Sequence, residues 1–194
     1  MSPRRAGPPP GEVRIIGGQW KRTPLRVPDR PGLRPTPNRV RETLFNWLGQ
    51  DLSGWRCVDA FAGTGALGFE AASRGAAEVL VVEQDAALVE QLQALKQRLS
   101  AATVRVERGD GVRALKRAAR GSLDLVLLDP PFDGPPVDPA LRAAAAALGD
   151  QGLIYLEAAA AWDEARLAPF GLTLHRHGKA GMVHFHLLKK AAQA

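Results

Sequence analysis

Two loop motifs about seventy residues apart constrain the fold of this chain more than any other feature. Residues 59–68 read Asp-Ala-Phe-Ala-Gly-Thr-Gly-Ala-Leu-Gly, and residues 129–132 read Asp-Pro-Pro-Phe. Each motif follows a short apolar run that is typical of a buried strand. Because the carboxyl ends of parallel strands meet at one edge of an open α/β sheet, we expect both loops to face the same crevice.

Strands and helices alternate through the middle of the chain. The predicted strands cover 57–59, 78–82, 103–107, 123–128 and 153–157, and the predicted helices cover 67–74, 86–99, 112–119 and 139–148. Two consecutive strands, 171–177 and 182–188, predict a terminal antiparallel hairpin. The alternation predicts an α/β fold in which helices cover both faces of a mainly parallel sheet.

Positive charge is concentrated at the start of the chain. The formal net charge is +6, and residues 1–56 hold eleven Lys or Arg against four Asp or Glu, whereas the remaining residues are almost neutral. A basic segment beside a neutral domain favours a polyanionic partner such as nucleic acid. The polar side chains of this segment that are available to such a partner include Arg14, Gln19, Lys21, Arg22 and Arg26.

Local patterns divide the chain into three parts. They are residues 1–12, a disordered basic tail, residues 13–36, a basic β-hairpin with a proline-rich connector, and residues 37–194, the main domain. The hairpin is expected to turn at Gly17 and Gly18. The main domain begins with an amphipathic helix over 37–49, and Thr36 is its expected N-cap.

Composition argues against several other classes of protein. Cys57 is the only cysteine, so an intramolecular disulfide cannot form, and no apolar run is long enough to span a membrane. The first residues lack an apolar signal core, and together these features predict a cytoplasmic protein without a membrane partner. Four histidines alternate along the last two predicted strands, but no cysteine or carboxylate accompanies them at zinc spacing, so we expect no metal site.

The glycine-rich loop predicts a cofactor site. Gly63 and Gly65 allow the backbone to approach a ligand closely, and amides at a helix N-terminus would face that ligand. Glu83, at the end of the second strand, is placed to accept both ribose hydroxyls, and Asp110 is placed to meet an adenine edge. A dinucleotide site would share these features. Asp59 favours S-adenosylmethionine, because a carboxylate there can pair with a cationic amino acid group.

The Asp-Pro-Pro-Phe turn predicts a pocket for a flat ring that carries an amino group. Asp129 and the carbonyl of Pro130 can each accept a hydrogen bond from that amine, which would localise its lone pair. Pro130 and Pro131 fix the backbone and remove N–H donors, and Phe132 offers a face on which the ring can stack. Together the two motifs indicate methyl transfer to a base.

Several stretches resemble a known family. They are residues 14–20, 31–36, 39–48, 59–68 and 129–132, and the resemblance spans roughly residues 13–188. The chain is similar to the bacterial small-subunit ribosomal RNA guanine-N2 methyltransferases, which belong to the class I methyltransferases that use S-adenosylmethionine. The fold that this implies is the Rossmann-like sheet of that class, with a terminal antiparallel hairpin and a small N-terminal β-hairpin.

The resemblance also implies specific roles. The expected reaction is methylation of a guanine amino group in 16S rRNA, within the small ribosomal subunit or its assembly intermediate. The implied cofactor contacts are Asp59, Phe61, Gly63, Gly65, Glu83, Asp110, Gly111, Thr36 and Arg39. The implied catalytic group consists of Asp129, Pro130, Pro131 and Phe132, and the implied RNA contacts are Arg14, Gln19, Lys21, Arg22, Arg26 and Arg34.

Three alternatives remain open from the residues. An adenine-N6 DNA methyltransferase is one, because the Asp-Pro-Pro-Phe turn suits either amine, although no separate DNA-recognition domain is visible. A nicotinamide-dependent oxidoreductase is another, since it would share the glycine pattern. A non-enzymatic RNA-binding module is the third, and it predicts that replacing Asp129 by alanine leaves function intact.

Overall fold

The computed structural model describes residues 11–28, 36–131 and 134–192. Two residues with predicted roles, Arg34 and Phe132, lie outside the described residues, as does most of the predicted basic tail. None of the described helices is long and apolar enough to cross a membrane.

Strands and helices alternate after a short N-terminal hairpin. The strands are β1 (Glu12–Arg14), β2 (Pro24–Arg26), β3 (Arg56–Asp59), β4 (Glu78–Glu83), β5 (Val104–Arg108), β6 (Leu123–Leu128), β7 (Leu148–Ala158), β8 (Leu172–Ala180) and β9 (Val183–Lys190). The helices are α1 (Asn38–Leu48), α2 (Ala66–Ser73), α3 (Ala86–Arg98), α4 (Gly111–Arg117), α5 (Asp138–Ala147) and α6 (Glu164–Leu167), and a 3₁₀ turn, Ala168–Phe170, follows α6.

Within the described residues the strands form a small sheet, β1–β2, and a seven-stranded sheet in the order β5-β4-β3-β6-β7-β9-β8. Strands β3 to β7 run parallel to one another, whereas β9 runs antiparallel to both β7 and β8. The prediction of a mainly parallel sheet that ends in an antiparallel hairpin is confirmed, and so is the N-terminal β-hairpin.

Both faces of the central strands are buried, as expected for a parallel sheet covered by helices. Alternate residues point to opposite faces, so Leu127 and Tyr155 pack with α1, α2 and the N-terminal hairpin. Leu128 and Leu156 pack on the other face, with α4 and α5. The continuous apolar runs that predicted these strands therefore reflect burial on two sides.

The register of the central strands aligns the residues that follow them. Leu127 pairs with Tyr155 and Leu128 with Leu156, so the next residues of the two strands, Asp129 and Glu157, come side by side. Asp59 pairs with Leu127 on the other side of β6. Three acidic residues thus gather at the carboxyl edge of β3, β6 and β7.

Two local predictions are wrong. Thr36 does not cap α1, because the N-cap position is Pro37 and the Thr36 hydroxyl donates to Asp129 Oδ2 instead, at 3.1 Å. The fifth central strand, β7, begins at Leu148 rather than at residue 153. Its pairing with β6 continues past an irregularity that accommodates residues 149–152, which read as a turn in the sequence.

The predicted hairpin turn at Gly17 and Gly18 is also wrong. Residues 15–23 form a longer loop between β1 and β2, and this loop packs against the end of α2. Gly18 has a φ of +71°, and a Cβ on it would lie 1.8 Å from the carbonyl oxygen of Ser73. The two glycines therefore allow a close approach between the loop and the helix.

Glu70 of α2 holds the hairpin loop against the domain. Its fully buried carboxylate accepts the backbone N–H groups of Ile16 at 2.8 Å and Gly17 at 2.7 Å. The same carboxylate pairs with Arg74 at 2.8 Å and with Arg41 of α1 at 3.4 Å. Burial lowers the pKa of Arg41, and the negative charge of Glu70 opposes that effect. The cluster joins the hairpin, α1 and α2.

Candidate active site

Asp59 lies at the end of β3 and is almost completely buried. Its Oδ2 accepts the backbone N–H of Gly68 at 2.9 Å, whereas its Oδ1 has no hydrogen-bond partner among the described residues. Burial raises the pKa of Asp59 to about 7, and the charge of Glu83 adds to the rise. A buried oxygen without a partner costs about 1–3 kcal/mol, so the side chain is suited to a ligand that brings a donor.

The glycine-rich loop after β3 turns through two left-handed residues. Gly63 has a φ of +52° and Gly65 a φ of +80°, and both values favour glycine. Gly65 is the N-cap of α2, and a Cβ on it would lie 2.5 Å from Leu92. Phe61 is half-buried in the same loop. The glycines therefore fix the path of a loop that passes between Asp59 and α2.

Glu83, at the end of β4, binds the backbone of the glycine-rich loop. Its Oε2 accepts the N–H of Gly63 at 2.9 Å, and its Oε1 accepts the N–H groups of Gln84 and Asp85 at 2.8 and 2.9 Å. These bonds hold the half-buried carboxylate at the end of the strand, next to the glycine-rich loop. The predicted position of Glu83 is therefore observed, while its role toward a ribose stays a prediction.

Asp110 and Gly111 follow β5 at the same sheet edge. Asp110 is the N-cap of α4, because its Oδ1 accepts the N–H of Arg113 at 2.8 Å, and its Oδ2 accepts a bond from Gln84 at 3.3 Å. A Cβ on Gly111 would lie 2.0 Å from the carbonyl oxygen of Ala60. Gly111 thus allows the loops after β3 and β5 to touch, which the sequence did not indicate.

Asp129 follows β6 and lies near the side chains of Thr36, Glu157 and Asp59. The buried Thr36 donates to it, and Glu157 lies beside it at the end of β7. The pKa of Asp129 is raised well above its ordinary value by burial and by the charges of Glu157 and Asp59. Tyr155 in turn donates its hydroxyl to Glu157 Oε1 at 2.7 Å. Glu157 and Tyr155 were missed by sequence reasoning.

The rest of the predicted base pocket is only partly described. Pro130 is half-buried and Pro131 is exposed, and Phe132 lies outside the described residues. Arg39, a predicted cofactor contact, is in the first turn of α1 and is exposed. The structure therefore brings Thr36, Asp59 and Asp129 to one site.

The predicted RNA contacts of the hairpin are solvent-exposed. They are Arg14, Gln19, Lys21, Arg22 and Arg26. Arg14 forms an ion pair with Glu12 at 2.9 Å, and Arg22 has a φ of +73° in the loop. The apolar residues between them, Val13, Ile15 and Leu25, are buried against the main domain. The hairpin therefore presents its polar face to solvent.

Two other reactive side chains, those of Cys57 and His186, are buried. Cys57 is buried, and burial raises the pKa of its thiol to about 12. His186 accepts the N–H of Trp162 at 3.0 Å and lies 3.1 Å from the carbonyl oxygen of Leu156, and burial lowers its pKa to about 4. Across the part of the chain that the structure describes, no group of three or more His, Cys, Asp or Glu side chains is arranged to hold a metal ion.

The strand order and the two loops at its carboxyl edge define the class of the protein. An order of β5-β4-β3-β6-β7-β9-β8 with antiparallel β9 is the Rossmann-like sheet of class I methyltransferases. The Escherichia coli protein yhhF has the same fold, with a TM-score of 0.80 and 36% identity over 94% of this chain and 100% of that structure.

Comparisons of sequence identify the family. The family model Conserved hypothetical protein 95 matches residues 13–189. Ribosomal RNA small subunit methyltransferase D of Escherichia coli strain K12 is 41% identical over 94% of this chain and 92% of its own length. The protein of the same name from Haemophilus influenzae is 37% identical over 91% of this chain and 93% of its own length. The chain belongs to this methyltransferase family.

Proposed function

We propose that the chain transfers a methyl group from S-adenosylmethionine to the exocyclic N2 amine of a guanine in 16S rRNA, in the small ribosomal subunit or an assembly intermediate. The observation that carries the proposal is that Asp59 and Asp129 end two adjacent parallel strands, because Asp59 of β3 pairs with Leu127 of β6, two residues before Asp129. The curated relatives, whose names describe small-subunit rRNA methyltransferases, support the substrate class. A ribosomal substrate also implies a cytoplasmic location.

The residues at the sheet edge fit S-adenosylmethionine. Asp59 Oδ1 is a buried carboxylate oxygen that lacks a partner among the described residues, and a cationic amino group would satisfy it. Glu83 would accept the ribose hydroxyls, and Asp110 with Gly111 would border the adenine. The glycine-rich loop at Gly63 would let the backbone approach the cofactor.

The charges around the site favour a cationic cofactor. Four acids lie at the carboxyl ends of adjacent parallel strands, and they are Asp59, Glu83, Asp129 and Glu157. A field of this sign attracts a sulfonium and repels the pyrophosphate of a dinucleotide. The acidic surroundings therefore argue against the nicotinamide-dependent alternative.

The residues of the second loop would prepare the target amine. S-adenosylmethionine, when bound, supplies a methyl group on a sulfonium whose sulfur leaves as a neutral thioether. Asp129 and the carbonyl of Pro130 would accept the two hydrogens of the amine and so localise its lone pair, and Phe132 would stack on the ring. Catalysis would then come from positioning two bound reactants and from fixed acceptors.

The docked hairpin would hold the RNA. Its exposed cations, Arg14, Lys21, Arg22 and Arg26, form a surface suited to phosphates, and Gln19 would add a polar contact. Glu70 fixes the hairpin loop on α2, so the proposed RNA-binding surface has a defined position relative to the domain. The rRNA names of the relatives favour this interpretation over the adenine-N6 DNA alternative.

The proposal is tested by methyl transfer to ribosomal particles. Small subunits from cells that lack the protein are incubated with radiolabelled S-adenosylmethionine and either the wild type or Asp129→Ala. We expect the variant to lose at least about a hundredfold in turnover while it still binds the cofactor, as removal of a fixed electrostatic partner can cause. Asp150→Ala is the matched control, because Asp150 is an exposed carboxylate near the opposite end of β7. Near-wild-type turnover of Asp129→Ala would refute the base pocket.

A further inference from the structure

Glu157 is a buried acid at the proposed site for which the sequence indicated no role. It ends the same strand that carries Tyr155, and it comes beside Asp129 because Leu128 pairs with Leu156 on the adjacent parallel strand. Adjacent strands are about 4.8 Å apart, so the two carboxyl groups are within reach of each other. We propose that Glu157 is a positioning residue for methyl transfer, which shares one proton with Asp129 and thereby sets the pH above which Asp129 accepts the hydrogens of the target amine.

The side chains around Asp129 and Glu157 favour a state in which the two acids hold one proton between them. Two carboxylates in contact cannot both ionise readily, because their charges repel. Burial raises the pKa of both Asp129 and Glu157. The charge of Glu157 raises the pKa of Asp129 further, whereas a hydrogen bond with Asp129 lowers the pKa of Glu157. Tyr155 donates to Glu157 and Thr36 donates to Asp129, so each acid also has a donor that supports its ionised form. The pair titrates as a unit.

The groups around the pair come from β3, from α1 and from the segment before α1, in addition to Tyr155 of β7. Asp59 at the end of β3 adds a further negative charge, and Thr36 ahead of α1 adds a hydroxyl donor. The guanidinium of Arg41 on α1 binds the carbonyl of Thr36 at 3.2 Å, while its charge is paired with Glu70. The carboxylates therefore dominate the local charge, which increases the affinity of the pair for a proton.

This inference rests on the proposed function, and it assigns the pair a role in proton transfer during that reaction. Methyl transfer leaves the target nitrogen with a positive charge and both of its hydrogens, so one hydrogen must leave as a proton. Asp129, which already accepts that hydrogen, takes the proton, and Glu157 shares it before it passes to water. A pair that already holds its proton cannot accept another readily, so the rate should fall on the acid side.

Two variants that act in opposite directions test the inference. Glu157→Gln removes the neighbouring charge, so the acid limb of kcat/KM for the small subunit, measured at saturating S-adenosylmethionine, should move to lower pH by at least about one unit. Thr36→Val removes the donor that supports ionised Asp129, so the limb should move to higher pH. A packing defect would lower the rate equally at every pH. An unmoved limb in Glu157→Gln, or limbs that move the same way in both variants, would overturn the inference.

A second measurement separates this inference from the proposed function. Carbon-13 carboxyl resonances of the free wild-type protein, titrated without RNA or cofactor, should report one proton that Asp129 and Glu157 share and lose only above the ordinary carboxyl range. In Glu157→Gln the Asp129 resonance should titrate at lower pH. Independent titration of the two acids near their ordinary values would refute the pair even if guanine is methylated. If the wild type methylates no guanine, the function fails while the titration still decides the pair.

Discussion

The hydroxyl of Thr36 donates a hydrogen bond of 3.1 Å to Oδ2 of Asp129, a residue 93 positions further along the chain. The carbonyl of Thr36 accepts from Arg41, and Arg41 pairs with Glu70, which binds the backbone at Ile16. A continuous set of contacts therefore connects the N-terminal hairpin with the proposed base pocket. The segment before the main domain contributes directly to the position of Asp129.

Asp59 should make cofactor affinity depend on pH. Burial raises its pKa to about 7, so the side chain is mostly neutral at lower pH and ionised at higher pH. A cationic amino group binds the ionised form, so the Kd for S-adenosylmethionine should fall by up to about tenfold per pH unit below the pKa and become constant above it. Isothermal titration calorimetry across this range measures the effect.

The matched variant for that experiment is Asp59→Asn. It should bind the cofactor more weakly and lose the pH dependence, whereas Asp150→Asn, which changes an exposed carboxylate, should behave like the wild type. If the affinity of the wild type does not change with pH, Asp59 does not pair with the amino group.

The same side chain should lower the stability of the free protein as the pH rises. The folded pKa of Asp59 is about 7, while the ordinary value is 3.8, so the folded state holds the proton more tightly. The resulting stabilisation is complete below about pH 4 and is lost as the pH rises through about 7, by roughly 4 kcal/mol in total. Urea unfolding at several pH values should reveal a smaller decrease for Asp59→Asn than for the wild type. Equal pH dependence in both would contradict the burial of this charge.

Glu70 should be essential for the attachment of the hairpin. Glu70→Ala leaves two arginines and two backbone N–H groups without their acceptor, which should lower the free energy of unfolding by about 3–5 kcal/mol. Chemical denaturation measures the loss, and limited proteolysis should cleave the 15–23 loop more rapidly. Glu78→Ala, at an exposed position of β4, is the control and should have little effect. Slow cleavage of the loop in Glu70→Ala would mean that other contacts hold the hairpin.

Lys21 and Arg22 should contribute to RNA affinity through phosphates. Replacing both by alanine should weaken binding to small-subunit particles and reduce the slope of log K against log salt by about 0.7–0.9 for each phosphate that the variant no longer neutralises. Filter binding at a series of salt concentrations measures this slope. Arg120→Ala removes an exposed cation between α4 and β6, outside the hairpin, and should leave the slope unchanged. An unchanged slope in the double variant would show that the hairpin does not bind phosphates.

Much of the fold followed from local patterns. Buried parallel strands are continuous apolar runs, and each ends at a polar residue such as Asp59, Glu83 or Asp129, so their carboxyl edge was predictable. The longer β7 was not, because Gly149 and Gly152 flank a polar pair that resembles a turn, whereas pairing with β6 holds it in the sheet.

The contacts that complete the site are distant in sequence. Glu157 meets Asp129 only because β7 lies beside β6, and Thr36 reaches Asp129 only because α1 packs on that face of the sheet. A serine-or-threonine N-cap pattern competes with such tertiary bonds, which explains the error at Thr36. Glu70 is a single acidic residue in an otherwise apolar helix, and its bonds to the loop and to Arg41 join parts of the chain that are far apart in sequence.

The identity of the methylated nucleoside tests the central claim most directly. Small subunits from cells that lack the protein are methylated by the wild type, their rRNA is digested to nucleosides, and the products are separated and identified by mass spectrometry. We expect N2-methylguanosine, formed at similar rates by the wild type and by Asp150→Ala and at least about a hundredfold more slowly by Asp129→Ala. N6-methyladenosine, or no methylated nucleoside at all, would contradict the proposed reaction.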